Sequence, residues 1–353
     1  MFDFNKPLND QIEITSPTPL LKENGEVSAQ GWARKCLVEY NKQFIPKNLR
    51  WRLKEWDFYQ ISDGEWMVQL NFANISVGAA ATCGIVNLHT GERYDYASLK
   101  VATFKGPYPT SKTADGVSLF EFKQGKTSLV FDVKERSRTL DFRTKSKNKE
   151  VVVHFEATHL PEHESITIVT PFDCDPHRFF LTTKFNCMPT SGYVKIGEKT
   201  INFDSKNTYT VLDWGRGVWP HKNYWYWGNG SKVIDGKLFG FEITWGIGNT
   251  KNATETCVFY DGKAHKVGAV DVEFPPKTNG YMNPWVFKSD DGRFNLTMTP
   301  FYDNASGALV LGLIGMKTHQ VHGYYNGSVT LEDGTVLEIK NMYAFCEYVE
   351  NLW

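Results

Sequence analysis

The sequence predicts an all-β protein made of two tightly packed antiparallel β-barrels with little helix. Three observations support this prediction. Short alternating apolar stretches are separated by turn residues roughly every 8–12 positions, helical periodicity is scarce, and no strand–helix–strand rhythm appears. The chain has 353 residues, of which 41% are hydrophobic and 22% charged, a balance typical of a globular protein.

Most of the predicted elements are strands that meet at turns rich in glycine and charged residues. We expect Trp66–Phe72, Ile85–Leu88 and Arg93–Ala97 to be strands. Four β-hairpins are predicted at Val117–Phe122 with Thr127–Val133, Leu140–Phe142 with Val151–Phe155, Tyr193–Ile196 with Thr200–Phe203, and Gly327–Leu331 with Thr335–Ile339. Ser28–Tyr40 is the segment with helical character, with Ser28 as a candidate N-cap.

The predicted strands fall into an earlier and a later set, and each set is large enough to close one barrel of roughly eight strands. We predict an N-terminal extension at residues 1–50, a first barrel at 51–205 and a second barrel at 206–353. A barrel of this size leaves an interior that holds one small ligand. The expected partner is therefore a small molecule.

Charge and composition argue against several other classes of partner. A net charge of −1 gives no basic field for nucleic acid, and no stretch approaches the ~20 apolar residues of a membrane span. The start of the chain lacks a secretory signal pattern, and six separated cysteines indicate reduced thiols in a cytoplasmic protein.

The sequence predicts neither a cofactor nor a metal site. We expect no cofactor, because Gly246-Ile247-Gly248 lacks the third glycine of a dinucleotide fingerprint. We also expect no metal site: of the candidate ligands His154, His159 and His163, the first lies on a predicted strand and the last in a predicted loop, so His154 and His163 diverge.

Residues 209–227 have the most unusual composition of the chain. A predicted strand ends at Asp213, and Gly215 and Gly217 permit a tight turn before Pro220. A second strand then places alternate rings on opposite faces. The rings predicted to contact a ligand here and nearby are Trp214, Trp219, Tyr224, Trp225, Tyr226, Trp227, Trp245 and Trp285.

Asp213, Arg216 and His221 are the candidate catalytic residues. A carboxyl group buried among rings has a raised pKa, so Asp213 could protonate an alkene or an ether oxygen while tryptophan faces stabilise the developing cation. The alternative is a salt bridge between Asp213 and Arg216 that lowers the pKa of Asp213 and holds the turn in place. The sequence leaves both interpretations open.

Four motifs make the chain resemble the bacterial family DUF2804, for which no activity is assigned. They run in order along nearly the whole chain, at Gly31–Arg34, Lys54–Tyr59, Leu212–Pro220 and Trp225–Gly228. A more distant resemblance, to carotenoid 1,2-hydratase and AttH-like proteins, rests on Asp213 among tryptophans, the hairpin at Gly327–Gly334, and Cys346-Glu347-Tyr348.

The distant resemblance implies two lipocalin-like barrels and an aspartate that protonates a polyene double bond. Asp213 is the position that matches this aspartate. The relatives show Asp, then a basic residue, then a nearby Trp, whereas here Trp214 follows Asp213 directly and Arg216 lies three residues on.

Three functions from different classes remain open. The first, which we favour, is a cofactor-independent enzyme of hydratase or isomerase type that acts by acid catalysis on a polyene-, terpenoid- or lipid-like molecule. The second is a non-catalytic lipocalin-like protein that binds a lipid or another small molecule. The third is a carbohydrate-active protein with aromatic platforms, in which Glu347 supplies a second carboxylate beside Asp213.

Overall fold

The computed structural model describes residues 2, 11–101, 108–310 and 314–352. Part of the predicted N-terminal extension, residues 1 and 3–10, therefore lies outside the described residues. The structure is 62% strand and 4% helix and contains one nearly closed barrel and one curled half-barrel sheet, which confirms the predicted all-β class.

The first twelve strands precede the long strand β13. They are β1 Thr18–Pro19, β2 Gly31–Ala33, β3 Val38–Glu39, β4 Leu53–Ser62, β5 Trp66–Asn74, β6 Gly78–Asn87, β7 Arg93–Val101, β8 Ser118–Gln124, β9 Thr127–Val133, β10 Ser137–Ser146, β11 Lys149–Thr158 and β12 Ile166–Pro171.

The remaining strands are β13 Phe179–Ile196, β14 Lys199–Phe203, β15 Tyr209–Val218, β16 Lys222–Ile234, β17 Lys237–Trp245, β18 Cys257–Tyr260, β19 Lys263–Lys266, β20 Val270–Val272, β21 Trp285–Ser289, β22 Phe294–Val310, β23 Ile314–Thr330 and β24 Val336–Leu352. The helical elements are short: two 3-10 helices at Lys42–Phe44 and Lys47–Arg52, and the α-helix α1 at Pro276–Asn279.

The described residues divide into two compact units, each made of separate stretches of chain. The first unit comprises residues 2, 11–44, 164–181, 218–310 and 314–352, and the second comprises 45–101, 108–163 and 182–217. The contiguous division into barrels at 51–205 and 206–353 stays a prediction.

The first unit contains a nine-stranded antiparallel sheet in the order β19-β18-β17-β16-β24-β23-β22-β21-β20. Strand β20 also lies against β17. Its interior is filled by apolar and aromatic side chains, among them Phe241, Ile243, Trp285, Phe287 and Tyr325. Burial of these side chains stabilises this unit, because it removes their apolar surface from water.

The second unit is built on strands in the order β7-β6-β5-β4-β15-β13-β11-β10-β9-β8, with β14 beside β13. Three of the four predicted hairpins lie in this sheet and are confirmed as β8–β9, β10–β11 and β13–β14. The fourth is confirmed in the first unit as β23–β24. Strands β8 and β7 lie at the two ends of the order.

The predicted helix at Ser28–Tyr40 is wrong. Gly31–Ala33 forms strand β2, which pairs with β12 and buries Trp32. Gly31 has a φ of 141°, and a Cβ at this position would lie 2.5 Å from the backbone oxygen of Ile12. Pairing with a distant strand therefore overrides the local helical pattern.

The predicted end of a strand at Asp213 is also wrong, because β15 continues through Gly215 and Gly217 to Val218. β15 lies between β4 and β13, so backbone pairing on both sides keeps it extended. Gly215 serves close packing rather than a turn: a Cβ there would lie 2.0 Å from Cζ2 of Trp56.

Candidate functional site

Asp213 is held by three donors of the second unit. Its Oδ1 lies 2.7 Å from Nζ of Lys184 and accepts a 3.1 Å hydrogen bond from the Thr182 hydroxyl. Its Oδ2 accepts a 3.0 Å hydrogen bond from Nε1 of Trp56, and its side chain is 13% exposed. These contacts are those of a carboxylate that serves as an ion-pair partner and acceptor.

Arg216 does not pair with Asp213, so the salt bridge considered from the sequence is wrong. Residues three apart on a strand point to opposite faces, and Arg216 lies on the face of Leu212 and Trp214. Its guanidinium lies 2.9 Å from Oδ1 of Asp57 and 4.0 Å from the centre of the Trp214 ring. Strand β4 thus supplies the counter-ion that the local sequence of β15 does not.

A cavity of about 40 Å³ lies on this same face of β15, inside the curvature of the second-unit sheet. We call it the β4–β15 cavity. Leu212 and Trp214 belong to its wall, and Asp213 does not. Its polar lining includes Asp57, Tyr59, Ser111 and Arg138, and its aromatic lining includes Phe120, Phe131 and Trp214.

Tyr59 and Arg138 form the inner polar end of this cavity. Arg138 donates to the Tyr59 hydroxyl at 3.1 Å and to the backbone oxygen of Ala114 at 2.7 Å. It also contacts Nδ1 of His159 at 3.1 Å. Burial raises the pKa of Tyr59, and the charge of Arg138 opposes this. Burial lowers the pKa of His159 to about 3, so this ring is a neutral acceptor near neutral pH.

Glu347, in the first unit, has two hydrogen-bond donors on its own face of the sheet. Trp225 donates through Nε1 to Oε1 at 3.0 Å, and Gln320 donates through Nε2 to Oε2 at 3.3 Å. Trp227 similarly donates to Glu242. Both tryptophans therefore act as hydrogen-bond donors to buried carboxylates.

The other predicted ligand-binding rings of the first unit mostly fill its interior. Tyr226 stacks on Trp245 at 4.6 Å and meets Trp285 edge-on at 6.4 Å. Trp219 packs edge-on against Trp225 at 5.6 Å, whereas Tyr224 is 52% exposed.

The three candidate catalytic residues do not all belong to one unit. His221 is exposed and belongs to the first unit, whereas Asp213 and Arg216 belong to the second.

Within residues 2, 11–101, 108–310 and 314–352, no group of three or more His, Cys, Asp or Glu side chains could hold a metal ion. His154 pairs with Asp141 at 2.9 Å, and the six cysteines, which all lie in the described ranges, form no disulfide. No helix among these residues is long and apolar enough to cross a membrane.

The family follows from a comparison with protein-family models. The model described as "Domain of unknown function (DUF2804)" matches residues 11–353. The chain belongs to this family. The resemblance read from the four sequence motifs is thereby confirmed.

Two solved structures resemble this DUF2804 protein. An AttH-like protein from Nitrosomonas europaea is 12% identical with a TM-score of 0.51, over 89% of this chain and 96% of its own. Kievitone hydratase from Nectria haematococca is 12% identical with a TM-score of 0.49, over 85% of this chain and 88% of its own. A search of curated proteins finds no match. The likeness to the AttH-like protein confirms the predicted double-lipocalin fold.

Sequence reasoning missed three cavity residues of this DUF2804 protein: Asp57, Tyr59 and Arg138. The first two lie in the motif Lys54–Tyr59, which was used to recognise the family but was not examined as a site. Arg138 alternates with Leu140 and Phe142, which are buried. Because alternate residues of a strand share a face, this pattern could have predicted that the Arg138 side chain lies in the interior with the buried apolar residues.

Proposed function

We propose that this DUF2804 protein is an enzyme of hydratase or isomerase type that binds a small, partly apolar molecule in the β4–β15 cavity. One observation carries the proposal: Asp57 and Tyr59 both line the cavity, and each contacts a buried arginine. They lie two residues apart on β4 and so project to the same face. One is a carboxylate that can accept a proton, and the other a hydroxyl that can donate one.

For a hydration, Asp57 takes a proton from water while the water oxygen forms a bond to one carbon of a polarised double bond. The electron pair of the broken π bond moves to the neighbouring carbon, which takes the proton of the Tyr59 hydroxyl. Arg138 stabilises the phenolate that forms, because its guanidinium already donates to that oxygen. A proton then passes from Asp57 to Tyr59 through solvent, and the cycle closes without a cofactor.

The volume of the cavity bounds the size of the substrate. A water molecule needs roughly 10–15 Å³ on the same measure, so about 40 Å³ takes a group of a few non-hydrogen atoms. This supports the entry of a short reactive end rather than of a whole polyene. Phe120, Phe131 and Trp214 would surround that end with rings and so favour an apolar neighbour to the reacting bond.

A non-catalytic binding protein is the second candidate. The observation that favours it is that Asp57 and Tyr59 are tied to arginines, as in ion-pair networks with a purely structural role. In that case the cavity would retain a small molecule unchanged. The acid role of Asp213 also stays a prediction, and the same experiment tests it.

The test uses small α,β-unsaturated carbonyl compounds in H₂¹⁸O, with the incorporated oxygen followed by mass spectrometry. We expect Asp57→Asn and Tyr59→Phe to lose roughly 100-fold or more of the rate, the usual effect of removing a general acid or base. Asp261→Asn, at an exposed surface pair with Lys237, is the matched control.

Wild-type rates in both Asp57→Asn and Tyr59→Phe would refute the proposal. Loss of rate in Asp213→Asn with full rates in those two variants would instead assign the acid to Asp213. Binding of the compounds without any incorporation of ¹⁸O would favour the non-catalytic protein. Circular dichroism of each variant checks that the fold is kept.

A further inference from the structure

Arg138 is a buried cation that lacks an acidic partner among the described residues. It is 1% exposed, and its contacts are with a hydroxyl, a backbone oxygen, an uncharged imidazole and the ring of Phe185, whose centre lies 4.8 Å from its Cζ. Its Nε has no hydrogen-bond partner within the same residues. Arg216 differs, because it lies 2.9 Å from the carboxylate of Asp57.

The one carboxylate that lines the β4–β15 cavity does not neutralise Arg138. Asp57 shares the lining with Arg138, but its Oδ1 lies 2.9 Å from the guanidinium of Arg216, which is outside the lining. A buried charge without a counter-ion is costly, so a ligand that brings one negative charge would be stabilised here.

The shape of the site suits a carboxylate better than a larger anion. A guanidinium presents its donors in a plane that matches the two oxygens of a carboxylate. The cavity is small, and Phe120, Phe131 and Val133 give it an apolar wall that suits a short hydrocarbon chain. A fully hydrated inorganic anion would leave those rings without a favourable contact.

The lining of the cavity extends to the edge of the sheet. Leu119 lines the cavity and is 61% exposed, and it belongs to β8, the last strand in the order of the second-unit sheet. The cavity thus reaches from this exposed edge to the buried guanidinium of Arg138. A ligand with a charged head and an apolar tail would place its head deepest.

We propose that the β4–β15 cavity binds a small monocarboxylate, with Arg138 as the residue that recognises its anionic head. The proposal deepens the function proposed above and rests on it only for the position of the site. It names Arg138 as a specificity-determining residue, whereas Asp57 and Tyr59 carry the chemistry.

The test measures binding of sodium butanoate by isothermal titration calorimetry, with butanamide as the uncharged analogue of the same shape. Sodium chloride at equal ionic strength controls for binding of a simple anion. Arg138→Gln removes the charge, and Arg143→Gln removes an exposed arginine from the same strand β10 as the matched control. We expect butanoate to bind at least 10-fold more tightly than butanamide, and Arg138→Gln to abolish that difference while Arg143→Gln retains it.

Equal affinities of the wild-type protein for butanoate and butanamide would overturn the proposal, and this comparison needs no variant to fold. Binding of chloride as tightly as butanoate would overturn it as well, because the hydrocarbon chain would then add nothing to the affinity and the site would bind any simple anion. Either result leaves the catalytic proposal standing if Asp57→Asn and Tyr59→Phe still lose the incorporation of ¹⁸O. If Asp57→Asn and Tyr59→Phe instead incorporate ¹⁸O at the wild-type rate while butanoate still binds more tightly than butanamide, the catalytic proposal is refuted and the carboxylate site stands.

Discussion

Gly215 and Trp56 are in such close contact that no larger residue fits at position 215. A Cβ on Gly215 would lie 2.0 Å from Cζ2 and 2.1 Å from Cε2 of the Trp56 indole. The same indole donates its N–H to Asp213, two residues before Gly215. The glycine therefore allows the tryptophan to lie across β15 and hold the carboxylate.

We expect Gly215→Ala to destabilise the protein by about 1–3 kcal/mol, because the ring must shift to relieve the overlap. The measurement is the midpoint of urea unfolding followed by tryptophan fluorescence. Gly84→Ala is the matched control in β6: its Cβ would meet Asp95 at 3.5 Å, an ordinary contact. A glycine-to-alanine change in an open strand position is expected to be neutral or slightly stabilising. Equal stabilities of the two variants would contradict this packing account.

Replacing Asp213 by asparagine should destabilise the fold by about 3 kcal/mol. The change removes one member of a buried ion pair and leaves the ammonium of Lys184, whose side chain is 4% exposed, without this carboxylate. Denaturant unfolding of Asp213→Asn measures the loss. The control is Asp261→Asn, whose pair with Lys237 is half-exposed, and there we expect a change of at most about 1 kcal/mol. A loss for Asp213→Asn no larger than that of the control would show that Lys184 does not depend on Asp213.

His322 should make stability depend on pH between about 3 and 6.5. It is fully buried, and burial lowers its pKa to about 3 from an ordinary 6.5. Over that range the unfolded chain binds a proton at His322 and the folded protein does not, so stability falls as the pH falls. Between about pH 5.5 and 4, well inside the two pKa values, we expect the wild-type protein to lose about 1.4 kcal/mol per pH unit relative to His322→Phe.

The control for this pH dependence is Tyr343→Phe, which removes the hydroxyl that lies 2.9 Å from Nδ1 of His322 but keeps the ring. This variant should lose about 1 kcal/mol at every pH and keep the wild-type slope. A wild-type slope in His322→Phe would show that other groups cause the acid sensitivity.

The cysteines should differ strongly in their reactivity towards a thiol reagent such as DTNB. Cys174 is exposed, whereas Cys83, Cys257 and Cys346 are buried. Burial also raises the pKa of Cys257 to about 12, which keeps it protonated. We expect Cys174 to react first in the native protein and all six thiols to react in guanidinium chloride. Cys174→Ser should lose the fast phase, and its persistence in that variant would contradict the assignment.

Much of the local structure could be predicted from the sequence because it depends on neighbours in the chain. The turn Lys123-Gln124-Gly125-Lys126 between two alternating stretches predicts a hairpin whichever strands lie beside it. The alternation of Tyr226 and Trp227 likewise predicted rings on opposite faces of one strand, and the structure places Tyr226 in the core and Trp227 on Glu242. The all-β class follows from the same local signals.

The partners of Asp213 and Arg216 were decided only by the tertiary structure. Trp56 lies 157 positions from Asp213 in the chain, and Asp57 lies 159 from Arg216. Both contacts arise because β4 pairs with β15, and no local pattern specifies which distant strands become neighbours. The positions of most strands and turns, and the segment rich in titratable and aromatic side chains, could therefore be predicted from the amino-acid sequence alone. The pairing of strands far apart in the chain decided which carboxylate faces the cavity and which arginine remains without a counter-ion there.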